Sequence, residues 1–132
     1  MKILSQQAHE AYIILQELAN IKLPFKASLI ISRNLRALQK ESEFYIEQEQ
    51  NFVRDYLEFD PETGMLIESA PGVFKIQESK VDECYKARED LDTFEVDVDI
   101  KKIPLDAIEN VELTPAQLMA IEFMIEEEEE ND

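Results

Sequence analysis

Apolar residues at Ala8, Ala11, Tyr12, Leu15, Leu18 and Ala19 recur in steps of three and four, so the spacing predicts a helix over 5–19 with one buried face. Ser5 can cap its first turn and Asn20 can end it. Pro24 suits the first turn of a second helix, where its missing N–H costs nothing. No breaker follows until about Leu57, which gives a helix roughly 50 Å long at 1.5 Å per residue. Its inward seam steps by four and three through Ile31, Leu35, Leu38, Ser42, Tyr45, Glu49, Phe52 and Tyr56. Ser42 and Glu49 interrupt the seam, so a long unbroken coiled coil is not specified. A helix of this length needs other elements, or another subunit, beside it.

The helical pattern stops over residues 58–76. Asp60-Pro61-Glu62-Thr63-Gly64 reads as a turn, and Pro71-Gly72 fits the two central positions of a type II turn. Met65–Glu68 and Val73–Ile76 flank that second turn and can pair as a short hairpin. A third helix is predicted at about 80–92, capped by Ser79 and Asp82, with Val81, Cys84, Tyr85 and Leu91 turned inward. Phe94 to Ile100 alternates apolar and acidic residues strictly, the best strand pattern in the chain. Leu105–Glu109 follows Pro104 as a helical turn. Thr114-Pro115-Ala116-Gln117 then combines an N-cap threonine, a proline at the first helical position and a glutamine three residues on. Residues 118–125 are apolar except Glu122, so the last helix, from Pro115 to about Glu127, is expected to be buried around most of its girth.

These elements predict a single α+β domain over residues 1–132, mainly helical. One long central helix is flanked by shorter ones, with a small antiparallel sheet or hairpin and an acidic tail at 126–132. Hydrophobic residues make up 45% of the chain, enough for a modest core at this length. Only Gly64 and Gly72 are glycines, which leaves no material for a Gly-rich phosphate loop. The N-terminus turns polar at once, against a secretory leader, and no apolar run approaches the roughly 18 residues that span a bilayer. Cys84 stands alone, which fits a reducing cytoplasm.

Candidate chemistry is sparse. His9 has no nucleophile or second ligand near it in sequence, and Cys84 lies on the apolar stripe of its helix among acidic neighbours, so both read as structural residues. Glu95, Asp97 and Asp99 project from one face of the predicted strand. Carboxylates so gathered can hold a hard cation, but no calcium-loop glycine or closing glutamate accompanies them, and they are read as the solvated face of a half-buried strand. No catalytic residue, cofactor site or metal site is assigned.

Charge changes the picture. Thirty acidic residues against 13 basic ones give −17, a surface that repels phosphate backbones, so a nucleic-acid partner is not expected. Yet residues 21–40 contain Lys22, Lys26, Arg33, Arg36 and Lys40 and no acid. Lys26, Arg33, Arg36 and Lys40 are spaced seven, three and four apart, which gathers them on one flank of the long helix. Either this flank pairs with acids of the same fold, or it docks an acidic segment such as the Glu126–Glu130 tail of a neighbouring subunit. Leu118, Phe123 and Met124 of the last helix are the expected apolar part of such an interface.

Leu23-Pro24-Phe25-Lys26 through Ser32-Arg33-Asn34-Leu35, in a long helix behind a short one, is one recognisable stretch. Val111-Glu112-Leu113-Thr114-Pro115 with Phe123-Met124-Ile125-Glu126-Glu127 is another. Together they resemble a family of small uncharacterised proteins encoded by tailed bacteriophages and prophages of Gram-positive bacteria. The resemblance implies a protein of the bacterial host cytoplasm or of the virion, and it brings no catalytic residues. The expected function is therefore a non-enzymatic interaction protein in virion assembly or host takeover, self-associating as a homo-oligomer, with no membrane role. The alternative is an acidic mimic of nucleic acid that inhibits a host DNA-binding protein.

Overall fold

The computed structural model describes residues 1–126. Strand β1 (Lys2–Leu4) runs straight into helix α1 (Ser5–Leu18), and after a short turn helix α2 (Phe25–Tyr56) extends for 32 residues. A hairpin of β2 (Glu68–Ala70) and β3 (Val73–Phe74) follows, then α3 (Val81–Asp92) and β4 (Glu95–Asp97). The described part ends with β5 (Ile103–Pro104), α4 (Pro115–Ile121) and β6 (Ile125–Glu126). The fold is α+β and mainly helical, one long helix accompanied by small two-stranded sheets.

Two of those sheets are antiparallel. β1 pairs with β4 in the register Lys2–Asp97, Ile3–Val96 and Leu4–Glu95, and β2 pairs with β3. The third, β5 with β6, is parallel. The β1–β4 ladder buries Ile3 and Val96, while Glu95 and Asp97 face solvent, as the alternation of apolar and acidic residues requires. The strand is shorter than predicted. Ile100 N–H turns back onto the Val98 carbonyl at 3.1 Å, and this ends the extended run.

The core lies between α1, α2 and the segment from β5 to β6. Leu15, Leu38, Ile103, Ile121 and Met124 are fully buried there, and each contributes roughly 1.5–3 kcal/mol of apolar burial. α2 turns Ala27, Ile31, Asn34, Leu38, Ser42 and Tyr45 inward, so the predicted seam is real through Tyr45. The hairpin turn also forms as its residues demand. Gly72 has φ +76° and Gly64 φ +71°, both in the left-handed region that glycine enters without strain.

Several local expectations are corrected. Ser5 does not cap α1: Leu4 holds the cap position, and its N–H donates to Gln7 Oε1 at 2.8 Å. Ser5 is instead buried, and its N–H donates to the Phe94 carbonyl at 2.7 Å because β1 delivers the chain directly into the helix. No side chain caps α3, so Ser79 and Asp82 do not act as its cap pair. Tyr85 is 66% exposed rather than inward, since α3 buries only Leu91 fully. The last helix stops at Ile121. A 3₁₀ turn over Glu122–Met124 follows, and then the chain extends as β6. Its apolar run thus serves three elements in succession instead of one helix buried all round. Of the acidic tail, only Glu126 lies within the described residues.

Candidate functional site

A polar cluster joins the three longest helices. Ser42 Oγ lies 2.9 Å from His9 Nδ1, and the His9 ring stacks on Tyr45 with centroids 4.5 Å apart. The Tyr45 hydroxyl donates to Asp92 Oδ1 at 2.8 Å and accepts from Arg88 Nη2 at 2.7 Å. Arg88 also reaches Glu49 Oε2 at 3.1 Å and Asp92 Oδ2 at 3.3 Å. The two polar residues that interrupt the α2 seam, Ser42 and Glu49, are therefore matched by His9 of α1 and Arg88 of α3. Burial, reinforced by the bond to Asp92, pushes the Tyr45 phenol well above its ordinary value, and the nearby Arg88 charge only partly opposes this.

The Ser42–His9 pair has the donor–acceptor contact of a nucleophile and its base, but not the access. Ser42 is 1% exposed on the core face of α2, so no substrate carbonyl can approach its hydroxyl. The cluster acts as a clamp between helices. Cys84 is half-buried, and burial raises its thiol despite the opposing field of Arg88, which leaves it protonated and weakly nucleophilic near neutral pH.

Asn34 forms a second buried polar join. Its side-chain N–H donates to the Lys101 carbonyl at 2.9 Å, and its Oδ1 accepts from the Lys101 N–H at 2.8 Å. One amide thereby satisfies both backbone groups of a loop residue and fixes the 98–102 segment on α2.

The acidic strand face does not gather into a ligand set. Asp97 pairs with the Met1 ammonium at 2.9 Å and Asp99 with Lys101 Nζ at 3.3 Å. Among the described residues no three His, Cys, Asp or Glu side chains converge as metal ligands do. No described helix is long and apolar enough to cross a membrane.

The cationic flank stands out on the outer side of α2. Lys26, Arg33, Arg36 and Lys40 are all exposed, opposite the face that carries Ala27, Ile31, Asn34 and Leu38. Among the described residues none of the four forms an ion pair, although carboxylates outnumber cations more than twofold in the chain. Arg36 and Lys40 stand one turn apart and Arg33 and Arg36 three residues apart, so their mutual repulsion is unrelieved. Leu118, Phe123 and Met124 do not form one patch. Leu118 is 43% exposed, Phe123 half-buried, and Met124 fully buried with its sulfur 3.8 Å from the Asn34 amide nitrogen. Met124 belongs to the core.

A groove of about 380 Å³ separates the distal half of α2 from α3, with Phe44, Phe52, Leu91 and Phe94 as its apolar wall and Asp55 and Asp90 beside them. No family model, curated protein or solved structure matches this chain.

Proposed function

We propose that this chain is a non-enzymatic interaction protein of a tailed phage or prophage, acting in virion assembly or host takeover, in the host cytoplasm or on the virion. The observation that carries the binding role is the cationic outer face of α2. A monomer of this acidity has carboxylates to spare for neutralising four cations, yet among the described residues none pairs with these four, which stand exposed and close together. An acidic protein surface laid along them relieves the repulsion and gains steering from opposite charge. The phage setting rests on the resemblance carried by Leu23–Leu35 and by Val111–Pro115 with Phe123–Glu127.

Affinity capture from phage-infected cells tests this reading, with wild type compared against R33A/R36A/K40A and against K86A as an exposed lysine of α3. The expected result is an acidic partner retained by wild type and K86A, lost from the triple variant, and eluted by salt. Capture that is indifferent to the triple substitution would refute a binding role for this face.

A further inference from the structure

The outer face of α2 changes sign along its length. Beyond Lys40, the same stripe continues in steps of three and four through Glu43 and Glu47, both exposed and neither ion-paired among the described residues. At 100° per residue, the run Lys26, Arg33, Arg36, Lys40, Glu43, Glu47 keeps within a sector about 100° wide, away from the core. Along this run the stripe is thus cationic up to Lys40 and anionic at Glu43 and Glu47, before the exposed Arg54 one further heptad on.

We infer that this face pairs with α2 of a second copy, antiparallel, about a two-fold axis near residues 41–42. The inference rests on the reading of the face as a binding surface and names its occupant. In that arrangement Lys40 meets the partner's Glu43 and Arg36 meets the partner's Glu47, and the symmetry repeats both pairs. A parallel pairing in register sets Lys40 against Lys40 and Glu43 against Glu43, so charge alone selects the antiparallel sense. Phe44 borders the stripe and is 41% exposed. Across the proposed axis the two Phe44 positions stand roughly 7.5 Å apart along the helix direction, at 1.5 Å of rise per residue. They supply an apolar centre to an otherwise polar contact.

Such an interface depends on charge and weakens with salt, because the screening length falls from about 10 Å at 0.1 M to about 3 Å at 1 M. Sedimentation equilibrium on the full chain provides the test, with R36E/K40E and E43K/E47K as reciprocal variants. All four positions are exposed, and helicity by circular dichroism checks that each variant is folded. The expected result is a dimer for wild type at low salt and at least tenfold weaker association for either variant alone. An equimolar mixture of the two restores association, because each now carries the complement of the other. A monomeric wild type at low salt, or a mixture that stays monomeric, overturns the self-pairing. If only R36E/K40E weakens association, the cations meet a different acidic surface and the antiparallel arrangement is wrong. Cation-dependent capture of another protein is read independently, so the broader binding role can stand when the dimer fails.

Discussion

Replacing Asn34 measures how much the fold depends on a single buried amide. Its side chain is fully buried, and it satisfies both backbone groups of Lys101 at 2.9 and 2.8 Å. Asn34→Ala removes two hydrogen bonds worth about 1 kcal/mol each and leaves a small void beside Met124, for a total of about 2–4 kcal/mol. Asn34→Leu keeps the number and branching of heavy atoms in a larger side chain, and it strands the Lys101 N–H and carbonyl. Because those groups are only partly buried, its cost is about 1–3 kcal/mol. Either loss is a large share of the roughly 5–15 kcal/mol that holds a domain of this size together. Urea denaturation followed by circular dichroism gives both values, with an unchanged slope expected if only the native contacts differ. Hydrogen exchange at the Lys101 amide accelerates in both variants. Stability within about 0.5 kcal/mol of wild type in both would refute the reasoning, since it would mean that water replaces the amide without penalty.

Tyr45→Phe removes a hydroxyl bonded to both Asp92 and Arg88, and costs about 1.5–3 kcal/mol at neutral pH by chemical denaturation. The folded Tyr45 holds its proton above the ordinary tyrosine value, so the unfolded chain releases its proton first and this group's contribution is lost as pH rises past about 10. The gap between wild type and Y45F therefore narrows in that window; a constant gap contradicts the raised phenol. Gly72→Ala meets no atom within 4 Å but places a Cβ at φ +76°, so it lowers stability by about 1–2 kcal/mol through conformation alone. A neutral result in thermal unfolding would argue against that turn geometry. Thr114→Ala removes the acceptor for the Gln117 N–H, at 3.1 Å, and costs about 1 kcal/mol, or about 2–6 °C in melting temperature. Thr114→Ser restores most of it.

What could be read from residue order was whatever local geometry decides. The unbroken run after Pro24 became a helix from Phe25 to Tyr56, and Thr114 with Gln117 formed the reciprocal cap that their spacing announces. Gly72 took the turn position reserved for a left-handed residue. What was missed depends on partners remote in sequence. Lys2-Ile3-Leu4 is too short to show a period, and it is a strand only because β4 lies beside it. Ser42 and Glu49 looked like faults in an apolar seam until His9 and Arg88 were placed against them. Asn34 gave no signal, because its value comes from a loop 67 positions away. The apolar run after Leu118 reads as a single helix, since apolarity alone does not distinguish a helix from a 3₁₀ turn followed by a strand. Of the candidate interface, the cationic flank was legible as spacing and charge. That none of its four cations forms an ion pair among the described residues became visible only in three dimensions.

The β1–β4 ladder has a consequence for how the chain acquires its shape. Its paired residues are about ninety positions apart, so closing it requires one of the longest loops the domain can form. The adjacent helices α1 and α2 meet across a short turn and can associate early, but β1 has no partner until β4 has been made. At a synthesis rate of roughly 5–20 residues per second, that is a wait of about 5–18 seconds on the ribosome. Ile3 spends this interval without the Val96 neighbour that buries it, on a strand whose hydrogen-bonding edge is open. An open edge of this kind can mispair, and the polar residues that flank Ile3 and its neighbour Leu4, Lys2 and Ser5, keep it short.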